Sequence, residues 1–136
     1  NLLEILCALV EKGYTDFYVN GAYGIPFWSA EMICALKLYH PALRLHLVQP
    51  YPEHNAGWKP ELRERFQQIL EKADEVFCAE PEETADCYEA ADRIMCSASD
   101  LLVIFGTRSA NRSMVSYAGM QDVPVFSLKW ENLLIP

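Results

Sequence analysis

The sequence predicts an α/β protein: an open, doubly wound, mostly parallel sheet, with helices on both faces in a three-layer α/β/α arrangement. Helix and strand patterns alternate along the chain with short connections. The run 101–105 is uninterrupted and apolar, as in a central strand buried on both faces. The 136 residues allow one domain with a sizeable core but not a (β/α)8 barrel. We therefore expect one Rossmann-like domain over residues 1–136.

The first half of the chain predicts helix, strand, helix, strand. Residues 2–12 carry apolar side chains at helical spacing, and Gly13 ends that helix. A short strand at 17–19 precedes an amphipathic helix at 27–39. The apolar stripe expected on that helix contains Trp28, Met32, Leu36 and Tyr39. Residues 43–48 alternate like a strand and lead into a proline-containing loop that runs to Trp58.

The second half repeats the alternation three times. Pro60 occupies the favoured first position of a helix, and a strand follows at 75–79. Thr84 is expected to cap a helix that ends near Ser97, with Tyr88, Ala91 and Met95 on its buried side. After the strand at 101–105, residues 111–118 predict a short helix closed by Gly119. The last predicted strand covers 123–128.

Composition limits the function classes. The net charge of −8 disfavours general binding to nucleic acid, although Arg108 and Arg112 form a local basic spot. No apolar run is long enough for a membrane helix, and no signal-peptide pattern opens the chain. The five cysteines are odd in number and contain no CxxC, so we expect reduced thiols in a cytoplasmic protein and no metal site.

The N-terminus departs from the usual pattern of the predicted fold. The chain opens on a helix and on Asn1, whereas doubly wound folds open on a strand that is usually central. Either a first strand is missing ahead of Asn1 or the fold starts late, and because the first residue is not Met we expect the former.

Ligands of open α/β sheets bind beyond the carboxyl ends of the strands, which places the first candidate turn at 20–28. Gly21 and Gly24 allow positive φ and close backbone approach, and the helix that follows offers amides to an anion, with Ala22 between the glycines. Pro26 removes one of those donors. The G-x-x-G spacing is also typical of an ordinary tight turn, so both interpretations stay open.

Two further loops belong to the same edge of the sheet. Tyr51 and Trp58 bracket the loop after the second strand, where they either stack on a base or plug the top of the sheet. In the segment 106–113, small and hydroxyl residues accompany two arginines. This loop is expected to hold a phosphate or to be a solvated turn. Its candidate ligand residues are Arg108, Asn111, Arg112 and Ser113.

The sequence contains only weak candidates for a residue that acts in acid–base catalysis. Glu31 lies one helical turn beyond the first candidate loop and is the best of them. Asp100 precedes a strand, and Asp92 beside Arg93 is expected to form an exposed ion pair. No carboxylate pair or Ser–His–Asp order stands out, so the sequence favours a protein that is not an enzyme and assigns it no cofactor.

Four segments are similar to one known family. "GAYGIPFWSAEMICALK", "LHLVQPYPEHNAGWKPELRERFQQILEKADEV", "CYEAADRIMCSASDLLVIF" and "SYAGMQDVPVFSL" follow its motifs in order and spacing over about residues 13–128. On these residues the chain resembles the YpsA-like branch of the SLOG superfamily, which also contains DprA and the Lonely Guy phosphoribohydrolases. The resemblance implies a Rossmann-like fold with a first strand, and a pocket proposed for nucleotides or nucleotide-derived molecules such as ADP-ribose.

The chain keeps the framework of that family and changes its polar residues. The matching residues are Trp28, Glu31, Tyr51, Trp58, Tyr88 and Asp100. Pro26 replaces an aspartate, Ala91-Asp92 replaces Arg-Asn, and residues 109–111 replace a G-G-T phosphate loop. The P-G-G-x-G-T-x-x-E signature of the phosphoribohydrolases does not occur.

Three hypotheses follow. The first is a domain that binds a nucleotide-like small molecule. The second is a degenerate, non-catalytic interaction or structural domain, with a homodimer as its expected assembly. The third is a nucleoside-phosphate hydrolase, which the missing signature disfavours.

Overall fold

The computed structural model describes residues 1–128, which form five helices and five strands in strict alternation. The helices are α1 Leu2–Glu11, α2 Ile25–Leu36, α3 Pro60–Lys72, α4 Cys87–Ala98 and α5 Arg112–Met120. The strands are β1 Asp16–Val19, β2 Arg44–Gln49, β3 Glu75–Cys78, β4 Leu102–Phe105 and β5 Val125–Leu128. This order confirms the predicted α/β class.

All described strand pairs are parallel, but they form two sheets. One sheet has the order β1-β2-β3 and the other consists of β4 and β5. α4 carries the chain from β3 back across the first sheet and packs on β2 through Val48, Ala91 and Met95. The direction of winding therefore reverses between β1 and β4, as in a doubly wound fold.

The main core lies between the three-stranded sheet and the helices α1, α2 and α3. Leu45 and Leu47 of β2 are fully buried there, together with Phe27, Ile33 and Phe66. Val48 points to the other face of the same strand and is also fully buried, under α4. Helices thus cover β2 on both faces, which explains its nearly continuous burial.

The predicted apolar stripe of α2 is wrong at two of its four positions, because Met32 and Leu36 pack against the core but Trp28 and Tyr39 do not. Trp28 and Tyr39 are 40% and 80% exposed, whereas Phe27, Ala30 and Ile33 form the buried face. Apolar residues surround most of this helix, so the sequence offers more than one helical stripe. Tyr88 of α4 is likewise half exposed, and the buried side starts at Cys87 instead.

Two predicted helix ends also differ from the structure. Asp86, not Thr84, is the residue before the first turn of α4. Gly119 lies inside α5, which ends in a Schellman motif: the amide of Val123 donates to the carbonyl of Ala118 (2.8 Å). Asp122 takes the left-handed conformation there, with φ of 56°. Asp122 therefore ends α5 in the left-handed conformation, a role that the sequence analysis assigned to Gly119.

The described helices are too short or too polar to cross a bilayer. The five cysteines are free thiols, of which Cys87 and Cys96 are buried and the others half-buried.

Candidate ligand-binding site

A cavity of about 910 Å³ separates the two sheets. It is lined by every residue of β1 and of β4, by α1 and α2 on one side, and by α4 on the other. At the carboxyl ends of the strands it meets a second cavity of about 410 Å³, lined by Asp92 and residues 109–114. Asp92, Asn111 and Met114 line both. The point where the winding reverses is therefore open, and polar side chains stand at its end.

We call this end the polar mouth: Asn20, Asp92, Asn111 and the first turn of α5. Asn20 follows β1, and its Oδ1 accepts the amide of Ala22 at 3.0 Å. Asn111 precedes α5, and its Nδ2 donates to the carbonyls of Phe105 (3.1 Å) and Thr107 (2.9 Å). No side chain caps α5, so its first-turn amides are free to meet an anion.

Asp92 has a perturbed pKa. Burial raises the pKa of its carboxyl to about 6, and repulsion from Glu89 adds to the rise, while a hydrogen bond with Asn20 opposes it. The predicted exposed ion pair with Arg93 is wrong, because the Arg93 guanidinium lies over the ring of Tyr117 at 4.9 Å. The spacing of Asp92 to the buried Met95 and Cys96 was the sequence signal that it faces inward.

The first candidate turn has the predicted backbone. Gly21 and Gly24 have φ of 75° and 106°. Pro26 lies in the first turn of α2, and the amides of Phe27 and Trp28 already donate to Ala22 (3.1 Å) and Gly24 (2.9 Å). The N-terminus of α2 consequently has less capacity for an anion than that of α5.

The aromatic side chains form a packed cluster beside this turn. Trp58 meets four rings edge-on at 5.4–6.0 Å between centroids: Tyr23, His54, Phe27 and Phe66. Burial lowers the pKa of His54, and its Nε2 is buried without a hydrogen-bond partner in the described residues. This places Trp58 as a plug above α3. Tyr23, which the sequence did not single out, extends from the cluster to the wall of the larger cavity.

Two other predicted residues have internal partners. Both Glu31 oxygens accept hydrogen bonds from Arg65, from Nε at 3.0 Å and from Nη2. The Tyr51 hydroxyl donates to Glu83 at 2.6 Å, and this hydrogen bond raises the pKa of Tyr51 to about 12. Neither residue lines the cavities described above.

The predicted site residues thus fall into two groups. Gly24, Asn111, Arg112 and Ser113 line the cavities, and Arg108 lies exposed beside them. Gly21, Trp28, Glu31, Tyr51 and Trp58 lie outside the lining, and Ala22 is half-buried between the groups. Within residues 1–128, no cluster of histidine, cysteine and carboxylate side chains is suited to a metal ion.

The family described as the YspA SLOG family matches residues 1–124. A UPF0398 protein of Bacillus anthracis is 30% identical over 100 residues, which cover 72% of this chain and 54% of that protein. A UPF0398 protein of Halalkalibacterium halodurans is 35% identical over 69 residues, 51% of this chain and 36% of the relative. The chain therefore spans about half or less of the relatives it matches.

Proposed function

Since this chain belongs to the YpsA SLOG family, we propose that it binds a nucleotide or a nucleotide-derived small molecule at the polar mouth. The observation that carries the proposal is the meeting of two cavities where the winding reverses, beyond the carboxyl ends of β1 and β4. Open α/β sheets bind their ligands at this place because the loops diverge there and leave a crevice.

The polar groups suit the parts of such a ligand. The free first-turn amides of α5, with the Arg112 side chain beside them, match a phosphate. Asn20 and Asp92 present amide and carboxyl groups that match sugar hydroxyls. Tyr23 lies exposed at the wall of the larger cavity and offers a ring for stacking on a base.

The second candidate is a non-catalytic interaction domain, with a homodimer as its expected assembly. The observation in its favour is that Glu31, Tyr51 and Trp58 all have partners inside the chain. A nucleoside-phosphate hydrolase is third, because Glu31 is bound to Arg65 and lines neither cavity. For either candidate, the five free thiols support a cytoplasmic location.

A thermal-shift and calorimetric screen tests the proposal. The ligands are AMP, ADP, ADP-ribose and NAD, and the variants are Arg112→Ala, Trp28→Ala and Arg63→Ala. We expect one ligand to raise the melting temperature, with the shift lost in Arg112→Ala. It should be retained in Arg63→Ala, which removes an exposed charge from α3, away from both cavities.

The other outcomes are equally informative. A shift that survives Arg112→Ala but disappears in Trp28→Ala would place the ligand on the aromatic cluster and contradict the polar mouth. No shift in a folded protein, together with a concentration-dependent dimer, would favour the interaction domain. Release of a free base or of phosphate from the added nucleotide would favour the hydrolase.

A further inference from the structure

Helix α2 has a second apolar face, which points away from the core. The buried side of the helix contains Phe27 and Ile33. The exposed side, which we call the outer face of α2, consists of Trp28, Ala35, Leu38 and Tyr39. Ala35 and Tyr39 lie seven and eleven residues after Trp28, which places both within about 20° of it around a helix. Leu38 and Tyr39 are 81% and 80% exposed, so this face is open to solvent.

The end of the outer face is held in a fixed turn. The amides of Leu38 and Tyr39 donate to carbonyls one turn back, at 3.2 and 3.0 Å, so the helical course continues beyond α2. The Lys37 ammonium donates to the carboxylate of Asp74 at 2.6 Å and to the carbonyl of Lys72 at 2.9 Å, which fastens the turn to the end of α3. The exposed side chains are therefore presented on a preformed surface, which lowers the entropy cost of binding.

The outer face consists of uncharged residues on a strongly acidic protein. Glu31 is the one charged residue of α2, and both its oxygens accept hydrogen bonds from the Arg65 guanidinium. The whole chain has a net charge of −8, so two copies repel each other over most of their surfaces. The outer face is where two copies approach with the least repulsion. It also has no charge with which to attract a strongly basic or acidic partner.

The area of the outer face suits a weak dimer. Trp28, Leu38 and Tyr39 together expose on the order of 450 Å², as much as the largest apolar patch of a typical monomer. Two such faces would bury about 900 Å² in total, at the lower end of specific interfaces. We therefore expect a dissociation constant of about 100 μM.

Two-fold symmetry matches the outer face to itself. An axis through the middle of α2 lays the helices of two copies antiparallel, so that Trp28 of each copy meets Tyr39 of the other. Both ends of the interface are then aromatic. The small side chain of Ala35 lies near the middle, where two helix axes can approach to about 8 Å. Antiparallel helix dipoles also attract each other.

We propose that the outer face of α2 is a homodimer interface, in which two copies of this chain pair their α2 helices antiparallel about a two-fold axis. Trp28 and Tyr39 pack on each other at both ends, and Leu38 packs beside them. The interface contains no residue of the polar mouth, so the proposal goes beyond ligand binding and holds whether or not a nucleotide binds there.

Sedimentation equilibrium of the 136-residue chain, from about 10 μM to 1 mM, tests the interface. We expect a monomer–dimer equilibrium that Tyr39→Glu weakens at least about tenfold, because it places a carboxylate against an indole ring. Met120→Glu is the matched control: it adds the same charge at a similarly exposed apolar residue, at the end of α5, and should change the dissociation constant less than about twofold. Circular dichroism confirms that both variants are folded. At low micromolar concentrations the chain is monomeric, so unfolding experiments there report on the fold alone.

A pair of substitutions tests the antiparallel arrangement. Trp28→Arg alone should weaken the dimer at least about tenfold, as Tyr39→Glu does. In the double variant, the introduced guanidinium of one copy meets the introduced carboxylate of the other at both ends of the interface. We therefore expect the dissociation constant of the double variant to return to within about threefold of the parent value.

Three results would overturn the proposal. A parent chain that stays monomeric at 1 mM would show that a second copy does not cover the outer face. Equal weakening by Tyr39→Glu and Met120→Glu would show that added charge, and not this face, controls association. A double variant as weak as either single variant would show that Trp28 and Tyr39 do not meet across a two-fold axis.

Discussion

Among the carboxyl groups of residues 1–128, that of Asp92 has a pKa raised to about 6, mainly because it is buried beside the polar mouth. A carboxyl with a pKa above its unfolded value binds protons more tightly in the folded state. The contribution of Asp92 to stability is therefore greatest below about pH 4, falls as the pH rises towards about 6, and is level above that. The group is partly solvated, so we discount its cost at neutral pH to about 1–2 kcal/mol.

Asp92→Asn should remove that cost, because an amide of the same size keeps the hydrogen bond with Asn20 without a charge. We expect the variant to be more stable than the parent by about 1–2 kcal/mol at pH 7 and equally stable at pH 4. Urea unfolding at several pH values measures this, with Glu64→Gln, an exposed carboxyl on α3, as the control. A variant that keeps the parent's slope between pH 4 and 6 would contradict the assignment.

Gly21 and Gly24 lie in the same turn, at 20–28, and both have positive φ, so alanine substitutions at the two positions can be compared directly. Gly21 has φ of 75°, and a Cβ there would lie 3.3 Å from Phe66 and 3.5 Å from His54. Gly24 has φ of 106°, and a Cβ there would have no neighbouring atom within 4 Å. Alanine strains the backbone at both positions, but only at Gly21 must the Phe66 ring also shift by a few tenths of an ångström.

We expect Gly21→Ala to lower the free energy of unfolding by about 2–3 kcal/mol and Gly24→Ala by about 1–2 kcal/mol. Chemical unfolding of the two variants side by side gives the difference. Equal losses would mean that the Phe66 and His54 rings move aside freely.

The sequence predicted these glycine conformations but not the role of Asp92. A G-x-x-G spacing between a strand and a helix has few backbone solutions, so positive φ followed from the residues alone. Asp92 has Arg93 as its neighbour in sequence, which suggested an exposed ion pair. Only the packing of α4 against the sheet and the placement of Tyr117 separate the two charges.

At the scale of elements, the loop between β2 and α3 is held by its aromatic residue. Trp58 packs on Phe27 of α2 and Phe66 of α3, at 5.9 and 5.4 Å between ring centroids. Trp28 is 40% exposed and meets Tyr23 alone among the described aromatic pairs. The sequence analysis predicted both tryptophans as ligand-binding residues, but only Trp58 packs between α2 and α3.

We expect Trp58→Ala to destabilise the fold by about 2–4 kcal/mol, because it leaves space between α2 and α3. Trp28→Ala should cost less than about 1 kcal/mol. Thermal and urea unfolding of both variants measures the contrast, and near-ultraviolet circular dichroism shows whether the cluster persists. Comparable losses would contradict the assignment of Trp58 as the plug.

The elements themselves were largely predictable, and their buried faces were not. Pro60 marked the first turn of α3, and the alternation in 43–48 marked β2. Apolar residues surround α2, so the helical periodicity of its apolar residues does not identify a single buried face. The structure resolves the choice through tertiary contacts: Phe27 and Ile33 pack into the core that α1 and β2 form.

At the scale of the molecule, the uninterrupted run 101–105 predicted a central strand, yet β4 pairs with β5 alone among the described strands. Packing on both faces explains the composition: Leu102 packs with α4 and α5 and Phe105 packs on the main core, although Ile104 is the one buried residue of β4 and its second edge is unpaired among the described strands. The amino-acid composition of a strand indicates whether its two faces are buried, but it does not indicate which of its edges are paired. The division into two sheets was therefore outside what the pattern could predict.

This division should make the stability of the molecule uneven. β2 has paired strands on both edges, and its Leu45, Leu47 and Val48 are fully buried. β4 and β5 pair only with each other, and Phe126 of β5 is half exposed. Opening the β4–β5 pair with α5 exposes less apolar surface than opening β2, so it should require less free energy.

Native-state hydrogen exchange at increasing denaturant measures this difference. We expect the β2 amides of His46 and Val48 to exchange only through global unfolding. The amides of Leu102 and Gly106, which donate to the carbonyls of Pro124 (2.9 Å) and Leu128 (2.8 Å), should exchange through an opening at least about 2 kcal/mol lower. One common free energy for all four amides would show that the cavity does not divide the fold.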